Sequence, residues 1–343
     1  MRPGGGGEII GRSVDEMDAV RIGVLGAARI APSALIKPAR HVGEAEVVAI
    51  AARDRARAEK YATKHRVPNV YADYESLIAA PDVDAIYNPL PNGLHASWTT
   101  AALEAGKHAL CEKPLTANAE EAEQLATVAR ETGLVLMEAF HWRYHPLARR
   151  MVEIVRSGEL GALRHVEAAL CFPMPLFSDI RYQYDLAGGA LMDAGCYTVH
   201  IVRTLGGEEP EVVRATPKLR NPDIDRAMQA ELRFPSGHTG GITCSMWSSS
   251  LLRLHAKAVG DRGEMRVFNP TTPQLYHRLK VTVDGRSRVE RFPRKPTYEY
   301  QLEAFCAAVL RGEPTLTPPS ESIANMRVID AIYRAAGMKV RGT

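Results

Sequence analysis

Val20-Arg-Ile-Gly-Val-Leu-Gly-Ala-Ala-Arg-Ile-Ala31 is the stretch that decides the fold. Its first six residues are short, mostly apolar and rich in β-branched side chains, as in a strand buried on both faces of a parallel sheet. Gly26 ends the strand, and Ile30 to His41 reads as helix-compatible. The turn between them fits G-x-G-x-x-G with Ala28 and Ala31 in place of the second and third glycines. Such a turn brings backbone N–H groups and a helix N-terminus close to a pyrophosphate, and alanine is small enough to keep that approach. An ordinary strand-to-helix turn can have the same composition, so the context must separate the two.

The context favours a dinucleotide. Val47–Ala51 is a second apolar strand about 20 residues on, and Asp54 is placed to cap a helix running to His65. Asp84–Tyr87, His108–Cys111 and Leu134–Met137 are three more short strands. Helices are expected near 95–105 and 117–132, the latter with Ala122, Leu125, Ala126 and Ala129 on one stripe. This alternation predicts right-handed βαβ units and a doubly wound parallel sheet, the Rossmann class, which binds ligands beyond its carboxyl strand ends.

From about residue 160 to 295 the texture changes to short runs of period two. Arg164–Leu170, Met228–Phe234 and Gly241–Met246 predict an open, mainly antiparallel sheet with one covered face. A closing helix near 320–336 carries Ala324, Val328, Ala331 and Ile332 on one stripe. The expected organisation is a flexible Gly-rich tail at 1–18, a Rossmann domain at 19–140 and an α+β domain at 141–343.

Composition narrows the class. The 343 residues are 45% hydrophobic and 24% charged, which excludes wholesale disorder. A net charge of +3 does not suit a dedicated nucleic-acid binder. No apolar run approaches the ~20 residues of a membrane helix, and the tail has no apolar core of a signal peptide. The expected location is the cytoplasm. Cys111, Cys171, Cys196, Cys244 and Cys306 are odd in number and widely spaced, without C-x-x-C. They read as reduced thiols, and no metal site is expected.

Two positions carry the chemistry. The end of the second strand holds Ala52 and Arg53, where an NAD enzyme usually places an acid for the ribose 2′-OH. A small residue followed by a guanidinium suits a 2′-phosphate, so the expected cofactor is NADP, with NAD possible. Cys111-Glu-Lys-Pro114 falls at the carboxyl end of a strand, where a buried lysine is costly unless paired or functional. Pro114 restricts Lys113 to extended conformations.

Taken together, these motifs resemble the Gfo/Idh/MocA oxidoreductases, named after glucose-fructose oxidoreductase and inositol dehydrogenase. The resemblance covers residues 20–337. It adds Leu90-Pro-Asn-Gly-Leu-His95, Ala105–Leu115, Met137-Glu-Ala-Phe140 with Arg143 and Pro146, Gly188–Tyr197 and Asn325–Asp330. The pairing of Asp193 with Tyr197 is similar to the dihydrodiol, xylose and glucose-fructose branch; the inositol branch has His in place of that Tyr. The resemblance implies Lys113, Tyr197 and Asp193 as catalytic residues, with Lys113 touching both cofactor and substrate. It implies cofactor contacts at Gly26, Ala28, Arg29, Ile30, Ala52, Arg53, Leu90, Pro91, Asn92, His95, Glu112 and Arg143. Substrate contacts would add Arg181 and Trp142; Trp142 and its neighbour His141 lie in a stretch that varies within the branch, and Tyr298 reads as core or pocket rim.

The implied reaction moves hydride between nicotinamide and a secondary alcohol or hemiacetal carbon of a sugar, polyol or cyclic diol. Tyr197 or Lys113 is the expected acid/base. Lys113 and an oxidised nicotinamide should lower the tyrosine pKa, and burial should lower that of the lysine. Two alternatives are a noncatalytic NADP-binding sensor and a redox-assisted glycosidase that retains NAD. A homodimer or homotetramer through the free face of the second sheet is implied, with no nucleic-acid or membrane partner.

Overall fold

The computed structural model describes residues 18–249 and 252–343; all of the expected tail except Asp18 lies outside them. The first half alternates as expected: β1 (Val20–Leu25), β2 (Ala45–Ala51), α1 (Arg55–His65), β3 (Asn69–Tyr71), α2 (Tyr74–Ile78), β4 (Ala85–Asn88), α3 (His95–Glu104), β5 (His108–Cys111), α4 (Ala119–Thr132) and β6 (Leu136–Glu138). The strands form one parallel sheet in the order β3-β2-β1-β4-β5-β6. The order reverses beside β1, which opens a crevice at its carboxyl edge. Asp54 caps α1 by accepting from the Arg57 N–H, and Asn118 caps α4 in the same way through Glu121.

Ile30 to His41 differs from the expectation. It forms a π-helical turn over Pro32–Ile36 and a 3-10 turn over Pro38–Arg40. Pro32 and Pro38 lack N–H donors, and each restricts the residue before it, so one continuous α-helix does not form.

The chain then makes α5 (Pro146–Arg156), β7 (Leu163–Cys171), α6 (Cys196–Gly206), β8 (Glu211–Asn221), β9 (Ile224–Arg233), β10 (Thr239–Ser245), β11 (Arg253–Gly260), β12 (Gly263–Phe268), β13 (Arg278–Val283), β14 (Arg286–Glu290), α7 (Thr297–Arg311) and α8 (Pro319–Ala335). The eight strands pair in the order β14-β13-β12-β11-β7-β10-β9-β8, antiparallel except for β10 with β7. Val166, Ala168, Ile242, Cys244, Ala256 and Ala258 face one core together with Val199 and Val202 of α6. His165, Glu167, Arg253 and His255 fall on the opposite, open face.

Helix α7 returns to the first sheet. Its Leu302, Phe305, Cys306 and Val309 share a core with Val20, Ile22 and Ile50. A division at residue 140 therefore separates the two sheets but not their cores. All five cysteines are buried free thiols.

Candidate active site

The site lies in the crevice between the sheets. One wall starts where β1 ends. Gly26 adopts φ +82° and its N–H donates to the Ala51 carbonyl at 2.7 Å. A Cβ there would be strained and would stand 3.0 Å from Leu90. The turn is braced from α1, where Arg57 donates to the Ala27 carbonyl and the Tyr61 hydroxyl to that of Ala28, both at 2.9 Å. Ala31, at the third glycine position, is fully buried. Ala52 is buried beside the turn and Arg53 is exposed. A backbone turn of this shape, with a small residue and an exposed guanidinium at the end of β2, fits a dinucleotide.

The same wall continues through the ends of β4 and β5. Leu90, Pro91, Asn92, His95, Glu112 and Lys113 line the crevice, together with Ile30. His95 is buried with its ring nitrogens 2.7 Å from the carbonyls of Pro114 and Leu90. Burial lowers its pKa to about 4 against the pull of these two acceptors. Asn92 reaches across the cleft to the Ala187 carbonyl at 3.1 Å. Tyr87 donates to the buried Glu112 carboxylate at 2.7 Å. Burial raises the Glu112 pKa, and the Lys113 charge opposes that rise.

The second wall follows Gly188 and Gly189. A Cβ on Gly188 would stand 2.6 Å from the Arg181 carbonyl, so this close approach requires glycine. A π-helical turn over Leu191–Gly195 comes next and runs into α6, which begins at Cys196. Asp193 and Tyr197 both line the crevice, with Leu170, Phe172, Ile180, Arg181 and Tyr298. π turns of this kind are frequent at functional sites.

The walls meet at Lys113. Its Nζ donates to the Asp193 carbonyl at 2.8 Å, lies 3.5 Å from the Asp193 carboxylate and stands 4.8 Å over the Tyr197 ring. Arg181 donates to the same carboxylate at 3.0 Å and also pairs with Asp179. Asp179 in turn binds Arg29 of the glycine turn at 2.6 Å. An unbroken series of alternating charges thus runs Arg29, Asp179, Arg181, Asp193, Lys113. Burial opposes ionisation of Asp193, but Lys113 and then Arg181 outweigh it and hold the carboxyl below its ordinary pKa.

Lys113 departs from the expectation. Burial does favour its neutral form, yet Asp193, Cys196 and Glu112 more than offset this and raise the pKa. Tyr197 also goes up in the protein alone: burial dominates, followed by Tyr298 and Glu112.

Two expected contacts are not in the crevice. Trp142 is fully buried in the core, where its indole N–H donates to His200 at 3.2 Å. Its place is set by the 3-10 turn over His141–Tyr144, which directs His141 rather than Trp142 toward Tyr197. Arg143 lines a separate hollow with Tyr144, Arg149, Tyr300 and Arg311. Arg29 stands on the rim, with 77% of its side chain exposed. Sequence reasoning also missed Arg57, Leu170 and Phe172.

Residues 20–140 match the family described as "Oxidoreductase family, NAD-binding Rossmann fold", and residues 148–266 match the "GFO/IDH/MocA C-terminal domain". The chain belongs to the Gfo/Idh/MocA family. A D-xylose 1-dehydrogenase (NADP(+)) of Haloferax volcanii is 40% identical, over 92% of this chain and 96% of its own length. A trans-1,2-dihydrobenzene-1,2-diol dehydrogenase of Macaca fascicularis is 35% identical over 86% and 90%. Among solved structures, a 3-ketoreductase of Actinomadura kijaniata in complex with NADP and TDP-benzene superimposes with a TM-score of 0.85 at 32% identity, covering 92% of this chain and 98% of that one. This Gfo/Idh/MocA chain is therefore an NAD(P)-dependent oxidoreductase.

Proposed function

We propose that the protein oxidises a secondary alcohol or hemiacetal of a sugar, polyol or cyclic diol, or reduces the corresponding carbonyl, and that it prefers NADP. The observation that carries this reading is the meeting of Lys113 with Asp193 and Tyr197 across the cleft. The activities named for the xylose and dihydrodiol relatives support the substrate class. The bound nicotinamide supplies or accepts the hydride. The protein binds the substrate oxygen and moves its proton.

Lys113 stays charged because Asp193, Cys196 and Glu112 together outweigh the cost of burial. It is therefore suited to polarise a substrate oxygen and to stabilise a phenolate, while Tyr197 transfers the proton. Asp193 and Arg181 hold the lysine in place and offer hydrogen bonds to neighbouring substrate hydroxyls. Leu170, Phe172 and Ile180 give the pocket an apolar side against which a ring can pack. Arg53 beside the buried Ala52 selects the 2′-phosphate. The open face of the eight-stranded sheet joins two or four copies.

The test is a panel of aldoses, inositols, anhydrosugars, dihydrodiols and aryl glycosides, given with NADP+ or NAD+ and followed by reduced-cofactor absorbance and by aglycone release. Net NADPH formation, faster than NADH formation, is expected. Release of an aglycone without net NADPH would replace this reading with transient-oxidation glycosidase chemistry. Cofactor binding with no turnover on any compound would leave a sensor.

A further inference from the structure

His141 holds the proton donor from behind. Its Nε2 lies 2.9 Å from the Tyr197 hydroxyl, and its Nδ1 lies 2.8 Å from the Thr297 hydroxyl. His141 is 2% exposed and Thr297 fully buried, and neither lines the cleft. Tyr298 lies against the imidazole at a tilt of 37°, ring centres 4.1 Å apart, and Phe140 meets the Tyr197 ring edge-on. The three polar groups therefore form a fixed line that starts at the cleft and ends inside the protein. Nothing in the overall reaction requires a histidine here.

The direction of the hydrogen bonds follows from the buried end. A buried hydroxyl proton needs an acceptor, and among the described residues the Thr297 hydroxyl has His141 Nδ1 within reach. Thr297 then donates to Nδ1. A neutral imidazole with Nδ1 as acceptor carries its proton on Nε2, which makes Nε2–H the donor to Tyr197. The tyrosine oxygen receives that bond on a lone pair, and its own proton is left free to point into the cleft. Burial, and then Lys113, pulls the His141 pKa down to about 3, so the ring remains neutral and has one N–H to give.

We infer that His141, held in its Nε2–H tautomer by Thr297, is a positioning residue that aims the Tyr197 proton at the substrate oxygen and stabilises the phenolate left behind. In carbonyl reduction the Tyr197 O–H bond breaks and the substrate O–H bond forms, while His141 keeps donating to the phenolate oxygen. In alcohol oxidation the same proton returns to Tyr197. The charged and titratable groups around the pair are Lys113, Glu112, Asp193, Cys196 and Tyr298. Of these, Lys113 favours the phenolate, whereas Glu112 and Asp193 oppose it, so the N–H donor adds to the lysine. The inference rests on the proposed role of Tyr197.

The first arm of the test needs no substrate. Nitrogen NMR of the histidine-labelled full chain, with the His141 signals assigned by their loss in His141→Gln, reports the tautomer directly. The expected result is Nε2–H from pH 5 to pH 8, retained in Tyr197→Phe and lost or mixed in Thr297→Val. An Nδ1–H tautomer in the unmodified chain overturns the inference. The second arm follows NADPH formation from D-xylose as a function of pH. His141→Phe should lower kcat about 10-fold with KM changed less than about twofold. It should also move the ascending limb of the kcat–pH profile up by about one unit, the effect of one lost hydrogen bond to a charged oxygen. His141→Gln keeps an N–H near the Nε2 position and should return kcat to within about threefold with the limb restored. An unshifted limb in His141→Phe, or equal losses in both variants, overturns the inference. Full activity in Tyr197→Phe would instead remove the proposed proton donor itself, which separates failure of the function from failure of this inference.

Discussion

The two walls of the cleft begin alike and end differently. One follows Gly26 and passes into a π turn over Pro32–Ile36; the other follows Gly188–Gly189 and passes into a π turn over Leu191–Gly195. On the first wall the turn works through backbone shape, and the side chains there are small or exposed: Ala28, Arg29, Ala52, Arg53. On the second wall the turn works through side chains, because Asp193 and Tyr197 are packed among Lys113, Arg181, Phe140 and His141. A wall made of backbone tolerates alanine for glycine wherever φ stays negative. A wall made of buried charges and hydroxyls tolerates far less, since removing one partner leaves the other buried and unpaired.

That contrast ranks the effects of mutation. The largest belongs to Lys113, which comes from the first wall but acts on the second. Lys113→Met keeps the aliphatic stem and removes the charge that pairs with Asp193. The expected loss in kcat is roughly 10²–10⁴-fold, the range of acid–base and charge-stabilising groups, with a smaller loss in cofactor affinity. Steady-state kinetics and cofactor fluorescence check it. Turnover within about threefold of normal would show that the two walls do not meet at this residue.

Arg53→Ala confines the change to the first wall. NADP should bind about 1.5–3 kcal/mol more weakly, the cost of a lost charged hydrogen bond, while NAD binding and kcat stay nearly constant. Titration with each cofactor decides it. Equal losses for both cofactors would mean that Arg53 does not read the 2′-phosphate.

A smaller effect concerns what backs the first wall. Glu138, at the end of β6, is 2% exposed and accepts from the Leu115 N–H at 2.9 Å. Burial raises its pKa to about 7. A carboxyl with a folded pKa above its unfolded one stabilises the fold below the unfolded value, near 4.5, and that contribution is lost as pH rises to about 7. Glu138→Gln keeps the acceptor and cannot ionise. Urea unfolding at pH 5 and pH 7.5 should show that the variant loses roughly 2–3 kcal/mol less over this interval than the unmodified chain, at about 1.4 kcal/mol per pKa unit. An identical pH difference in both would place the titration elsewhere.

The same contrast explains what could be read from the chain. Gly26, the apolar strands and Glu112-Lys-Pro114 each follow from local rules, and so the parallel sheet and its crevice were recovered. Asp193 and Tyr197 entered only through resemblance, because an aspartate and a tyrosine in a helix are usually structural. Ile30 to His41 is helix-compatible in composition, but Pro32 and Pro38 split it into a π turn and a 3-10 turn. Which of His141 and Trp142 faces the cleft is set by the 3-10 turn over His141–Tyr144, which neither the resemblance nor local spacing specifies. Strand β14, Arg-Ser-Arg-Val-Glu, is an exposed edge strand with little apolar alternation to betray it. The return of α7 to the first sheet is a long-range contact that no local pattern encodes.

The most direct test of the central claim is Tyr197→Phe, which removes one hydroxyl and keeps the ring against Phe140 and Lys113. With NADP+ and the best compound of the alcohol panel, kcat should fall roughly 10²–10⁴-fold while the NADP dissociation constant changes less than about twofold. A normal kcat with unchanged cofactor binding would contradict the account, because the proton would then be moved by a group other than the one the two walls bring together.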